Sequence, residues 1–375
     1  MRFYKFFLLT LFVFNIAFSS AFSKSRANPK IDNAEQSVSL DKESATFAVD
    51  EELVLKPGFS SITTSKRIDQ RKTDNFDVVS DSVIKILAIG NSFSQDAIET
   101  YLYELAKNEG ISVVIGNLYI GGASLDLHWQ NASGNKPAYD YRKIDKNGVK
   151  TNIAATTIAT ALADESWDYI SFQQVSSNSG KYETFVTPLP LLFNYVKQKT
   201  TNPNVKYILH QTWAYAQNST HKGFANYNKD QKTMYKAIVD AVGRAKVLIG
   251  ADLIVPAGTA IQNGRSSLIG DEFNRDGYHL DVNIGRYTAA CAWFEAVFGK
   301  SVIGNSFKPD ALSDYEAEIA QHAAHSAVLK PNEVTEMVEY KDRGILTKPV
   351  QNEEVIRTVG NNNNVLLSDL NMSIE

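Results

Sequence analysis

The stretch Ile84–Asp96, IKILAIGNSFSQD, decides the fold. Its apolar residues Ile84, Ile86, Leu87, Ala88 and Ile89 first alternate and then run together, the pattern of a short strand covered on both faces, and the run stops at Gly90. Ser92 follows two residues later. Ser94 and Asp96 are of the types that cap helix N-termini, and Ala97, Ile98, Tyr101, Leu102, Leu105 and Ala106 recur at helical spacing as far as Gly110. The spacing predicts a strand, a tight turn and a helix, with Ser92 on the turn. In an open α/β sheet such a turn lies at the carboxyl edge, where ligands bind beside helix amides. An ordinary helix cap in a βα loop explains the same residues, so the stretch gives Ser92 a place before it gives it a role.

The rhythm continues outward. Ser112–Ile115, Tyr169–Phe172, Lys206–Leu209 and Leu253–Val255 read as further strands, and helical patterns lie near Ile153–Ala163, Leu189–Lys199, Gln231–Ala245 and Asn283–Phe298. The alternation predicts an α/β protein, a three-layer α/β/α sandwich around a parallel, doubly wound (flavodoxin-like) sheet of about five strands. Tyr139–Asn152 reads as a hairpin turning at Asn147-Gly148, expected to project from the carboxyl edge as a flap near the site. After Asn305 a helix is expected over Tyr315–Val328 and a second around Glu333–Tyr340.

Residues 1–23 carry Arg2 and Lys5, an apolar run from Phe6 to Phe18 and a small-residue site at Ala21-Phe22-Ser23, the pattern of a secretory signal. The run is shorter than the ~20 residues of a spanning helix. The expected layout is therefore a signal peptide (1–23), a linker or N-terminal extension (24–82), the main domain (83–305), and a C-terminal helical extension with a frayed tail near Asn361–Asn364 (306–375). A net charge of −4 argues against nucleic acid or an anionic membrane surface as the main partner. Cys291 is the only cysteine, which rules out disulfides within the chain and favours a buried, inert thiol. Export without disulfides fits a secreted or periplasmic bacterial protein, with no membrane partner once the signal is removed.

Four stretches carry chemistry. Asn274–Asp281, NRDGYHLD, sets Asp276 and His279 three apart before a helix, so one loop presents an imidazole and a carboxylate to orient it; with a serine they make the minimum set for nucleophilic attack. Tyr119–Trp129, YIGGASLDLHW, places Gly121-Gly122 at a strand end, where an amide can turn toward a ligand or the chain can simply turn tightly. Gln173 and Gln174 end the next strand, with a side-chain amide for an oxyanion or for solvent. His210, Trp213 and Tyr215, with His128 and Trp129, form an aromatic wall for a sugar ring or pack the core or rim. No metal site is expected: His322 and His325 share a helix face but lack an acid cluster, and Asp126 with His128 is too sparse. Neither Gly90 nor Gly121-Gly122 matches a nucleotide fingerprint, and no cofactor is expected.

In order and strand context, Gly90-Asn91-Ser92, Gly122, Gln173 and Asp276-x-x-His279 resemble the SGNH (GDSL-type) hydrolase superfamily. More closely, IGNSFS, GG-x-SL, HW, Q and DGYH resemble a secreted bacterial group within it. The resemblance runs from about Ile84 to Gly299 and leaves both termini unaccounted for. It implies a serine esterase with Ser92 as nucleophile, His279 as general base, Asp276 as its orienting acid, and an oxyanion hole of the Ser92 and Gly122 amides plus a side-chain amide. Asn91 stands where the common motif has Asp. The usual third-block asparagine is not evident, so the third donor stays open among Gln173, the first choice, Gln174 and Asn178. The implied reaction hydrolyses an O-acyl ester, acetyl foremost, on a small molecule or polysaccharide through an acyl-serine. A glycan-binding protein that has lost turnover, and a lipid or thioester hydrolase, are the alternatives.

Overall fold

The computed structural model describes residues 82–342. The expected signal, nearly all of the expected linker and the tail at Asn361–Asn364 lie outside the described residues. In chain order the elements are β1 (Ile84–Gly90), α1 (Ser92–Ile98), α2 (Leu102–Asn108), β2 (Val113–Tyr119), α3 (Leu125–Ser133), β3 (Tyr139–Ile144), β4 (Lys150–Thr156) and α4 (Ile158–Asp164). They continue with β5 (Tyr169–Phe172), α5 (Pro188–Lys199), β6 (Lys206–His210), α6 (Gln231–Ile249), β7 (Leu253–Val255), α7 (Ala257–Gly264), α8 (Ile284–Phe298) and α9 (Asp314–Leu329).

The seven strands form one sheet in the order β4-β3-β2-β1-β5-β6-β7. From β2 to β7 all neighbours are parallel, and the strand order reverses beside β1, which makes the doubly wound, flavodoxin-like sheet that the alternation of strand and helix predicts. The two extra strands are the hairpin. Tyr119 pairs with Asp140 and Ile115 with Ile144, so β3 runs back from the carboxyl edge and the Asp145–Val149 turn lies at the amino edge, away from Ser92. The expected flap is thus an antiparallel extension of the sheet. Its turn is chemically the one expected: Asp145 Oδ1 accepts from the Asn147 and Val149 amides, each at 2.9 Å, and Gly148 has φ +82°.

Ile153–Thr156, expected to open a helix, instead completes β4. Pairing with β3 overrides local propensity there, and α4 starts at Ile158 with Thr157 Oγ1 accepting from the Thr160 amide at 3.0 Å. From Asn305 to Asp342 the chain stays on the domain. Helix α9 packs against α7 and α8, Asn305 Nδ2 donates to Leu105 O, and Pro331 O accepts from Gln211 Nε2 and Thr259 Oγ1. The second helix expected around Glu333–Tyr340 is a loop ending in a 3-10 turn, Val338–Tyr340. Cys291 is fully buried in α8.

The sheet is packed on both sides, with Trp167, Trp213 and Trp293 wholly buried. Gly116 in β2 makes room for one of them: a Cβ there would lie 2.8 Å from Trp167 Cη2 and 2.9 Å from Leu87 Cδ1. Gly116→Val should therefore overpack the core and destabilise the domain by about 1–3 kcal/mol. The expected signature is a lower urea midpoint with an unchanged m-value.

Candidate active site

Strand β1 ends at Gly90, where any side chain would run into Ser94 Oγ. Asn91 then turns the chain (φ −145°) and caps α1, its Oδ1 accepting from the Phe93 amide at 2.9 Å. Ser92 follows as the first helical residue, half-buried at the carboxyl edge. Opposite it, His279 Nε2 stands 2.9 Å from Ser92 Oγ, and His279 Nδ1 stands 2.7 Å from Asp276 Oδ2. The other carboxylate oxygen, Oδ1, accepts from the amides of His279 at 2.7 Å and Tyr278 at 3.1 Å. Partial burial would raise the Asp276 carboxyl, but hydrogen bonds from the His279 ring and these two amides outweigh it and hold it below the usual carboxylate range. An ionised Asp276 can only accept, so Nδ1 carries the proton and Nε2 turns its lone pair toward the Ser92 hydroxyl.

The loop that carries this pair is tightly built. Gly277 takes φ +87°, Arg275 N donates to His279 O at 3.0 Å, and Asn274 Nδ2 donates to the carbonyls of Tyr278 and His279, each at 3.2 Å. Asn274 Oδ1 is in turn held by Arg265 Nη2 at 2.6 Å. In the turn after β2, Gly121 and Gly122 are exposed, Gly122 has φ +67°, and Asn91 Nδ2 anchors the turn through Ala123 O at 2.9 Å. Among the described residues, no protein acceptor takes the Ser92 or Gly122 N–H.

Gln173 lies elsewhere than a third oxyanion donor should. It is buried, its Nε2 donates to Asn91 Oδ1 at 2.7 Å, and its Oε1 accepts from His210 Nδ1 at 2.8 Å. Gln174 is also committed, donating to Thr184 and accepting from the Leu125 and Val175 amides. Asn178 sits in the 3-10 turn Ser176–Asn178 beyond β5. The expected aromatic wall is corrected in the same way. His128 is wholly buried against Tyr139, with Nδ1 2.9 Å from the Tyr139 hydroxyl, and His210 and Trp213 are sealed inside, as is Tyr215, bonded to Ser176 at 2.7 Å. Of the five, Trp129 alone is half-buried, and it packs against the core.

The aromatic groups beside the site are ones that patterning did not single out. The Tyr278 ring lies 4.1 Å from that of His279, and the His221 ring 4.7 Å from that of Tyr278. Tyr278 stands inside the DGYH motif. His221 has no motif around it; its Nδ1 accepts from the Gly223 amide at 3.0 Å, and burial, helped by nearby His279, lowers its pKa against the pull of Asp276. Next to Asp276 opens a polar cleft of about 390 Å³ lined by Asn218, Ser219, Thr220, Glu272 and Arg275. His325, far from the site, pairs with Glu295 Oε1 at 2.7 Å, and the His322 ring rests on Tyr340.

Fold and site together define an α/β/α protein with a serine, a histidine and an aspartate in hydrogen-bonded line at the carboxyl edge of its sheet. The chain belongs to the DUF4886 family, a domain of unknown function, which it matches over residues 85–327. A DUF4886 family protein from Bacteroides uniformis, known from a crystal structure, is 53% identical to it with a TM-score of 0.68, over 69% of this chain and 100% of that one. Looser likenesses extend to a candidate SGNH hydrolase from Slackia heliotrinireducens (20% identity, TM-score 0.40, 57% of this chain and 98% of that one). TesA is similar at 13% identity and a TM-score of 0.36, over 57% of this chain and 96% of that one. No curated protein matches the chain.

Burial pushes His128 and His210 down to about 3, so both are neutral in the folded protein. Unfolded, they titrate near 6.5; between the two values the unfolded chain binds more protons, and stability falls as pH drops from about 6.5 toward about 3. Each contributes a slope of about 1.4 kcal/mol per pH unit within that window. His210→Gln should remove one share, so the loss of unfolding free energy between pH 6 and pH 5, measured in urea, should shrink by about 1 kcal/mol.

Proposed function

We propose that the protein is a secreted serine esterase that removes O-acyl groups, acetyl foremost, from a carbohydrate through an acyl-serine intermediate. The observation that carries this reading is the continuous line from Ser92 Oγ to His279 Nε2 (2.9 Å) and from His279 Nδ1 to Asp276 Oδ2 (2.7 Å). Ser92 Oγ attacks the ester carbonyl carbon while His279 Nε2 takes its proton, and Asp276 stabilises the imidazolium that forms. The oxyanion rests on the Ser92 and Gly122 amides, each worth about a hundredfold or more in rate. Collapse expels the alcohol, which leaves with the proton from His279. Water, deprotonated by the same nitrogen, then attacks the acyl group, and Ser92 recovers its proton as the acid departs.

The hydroxyl-rich alcohol is supported by the polar cleft beside Asp276, whose Asn218, Ser219 and Thr220 offer donors and acceptors. Export is supported by the pattern of residues 1–23. One observation favours a second reading, glycan binding without turnover: the commitment of Gln173 to Asn91 leaves two backbone amides as the oxyanion donors.

Intact-mass labelling with a small fluorophosphonate separates the two. The wild type should gain one adduct, and Ser92→Ala and His279→Ala should gain none and should lose esterase activity toward acetylated sugars. Ser92→Ala should change stability by no more than about 0.5 kcal/mol. An unlabelled but folded wild type that binds glycans would overturn the esterase reading in favour of the second.

A further inference from the structure

One buried carboxylate ties the serine helix to the histidine loop. Asp96 lies one helical turn beyond Ser92 on α1 and is 1% exposed. Its Oδ2 accepts from the Leu280 amide at 2.9 Å and from Arg275 Nη1 at 3.1 Å; its Oδ1 accepts from Arg286 Nε at 2.9 Å and Nη2 at 2.7 Å, and from Arg275 Nη1 at 3.2 Å. Arg275 Nη1 also donates to Leu280 O. Leu280 directly follows His279. On the other flank, Trp213 Nε1 donates to Tyr278 O at 2.8 Å, and the Trp213 ring stacks on Phe93, the residue after Ser92, at 4.3 Å and 6°. The main chain before and after His279 is therefore fastened to residues one and four places beyond the serine.

Stability alone does not account for a charge at this position. Helix α1 also buries Phe93, Ala97 and Ile98, and apolar residues of similar volume commonly replace buried ion pairs at no loss of stability. What the carboxylate supplies is direction: an acceptor aimed at one amide and the Arg275 guanidinium of a loop far away in sequence, held from its other side by Arg286 of α8. We propose that Asp96 is a positioning residue, setting the register of His279 Nε2 against Ser92 Oγ while touching neither the substrate nor the reacting atoms. The inference rests on the serine-nucleophile reading above. A displacement of about 1 Å at such a contact costs about a hundredfold in rate.

The test measures the second-order rate of fluorophosphonate labelling in the wild type, Asp96→Asn and Arg275→Ala, together with the downfield proton resonance of His279 Nδ1. The hydrogen bond to Asp276 is internal to the loop, so its resonance should persist in Asp96→Asn while labelling falls about a hundredfold. Arg275, whose side chain is 34% exposed, can be truncated with the core intact, and Arg275→Ala should lose about tenfold by the same loosening. Esterase KM should stay within about twofold in Asp96→Asn, with the loss in kcat. Labelling of folded Asp96→Asn at the wild-type rate would overturn the positioning role and leave the nucleophile intact. Loss of the resonance together with labelling would also overturn it, because Asp96 would then only keep the loop folded. Should Asp96→Asn fail to fold, Arg275→Ala decides by the same criteria, with wild-type labelling overturning the role. An unlabelled wild type would take down the nucleophile reading and the positioning role with it.

Discussion

The Asn91 carboxamide is the joint on which the carboxyl edge depends. Its oxygen must face the Phe93 amide to cap α1, so Gln173, which also meets that oxygen, must present its nitrogen. The Gln173 oxygen then faces away, toward a His210 ring that must carry its proton on Nδ1. At the other end the Asn91 nitrogen holds Ala123 O. One hydrogen-bonded thread thus joins the ends of β6, β5 and β1 to the loop after β2. Every member is buried, and a buried polar group left unpartnered costs about 1–3 kcal/mol, so the thread is cooperative in the sense that breaking any link strands its neighbours. The position of Ser92, one residue beyond this joint, is fixed by scaffolding rather than by the serine itself.

The fold was legible because parallel strands buried on both faces must be nearly continuous apolar runs. Tyr169–Phe172 and Leu253–Val255 stand in the structure with the bounds that their residues predict. The hairpin shows where such reading stops. Asn147-Gly148 specifies a turn, but nothing local says which edge of the sheet the turn faces; that follows from how β3 pairs with β2. Ile153–Thr156 shows the same limit, since its sheet partner is not written in its own composition.

The site was legible in part for a related reason. In a doubly wound sheet the loops after successive strands gather on one edge, so the order of motifs along the chain brings Ser92, Gly122, Asp276 and His279 together. Residue type does not tell whether a side chain at that edge faces outward or inward. His210, the last residue of β6, and Gln173, just past β5, turn inward and become parts of the scaffold. Trp213 and Tyr215 follow them into the core. Asp96 escaped notice for the opposite reason, because an aspartate early in a helix reads as a cap, and its burial depends on arginines nearly two hundred residues away.

Ser92 and His279 are separated by 187 residues, with six of the seven strands between them. Synthesis runs from the amino end, so Ser92 is made long before His279, and the imidazole reaches the hydroxyl only when both halves of the sheet have assembled. A chain still emerging, or one folded only through β5, carries Ser92 without its imidazole partner. The hydrogen-bonded line from Ser92 to Asp276 is therefore a property of the completed domain, present at no earlier stage of its making.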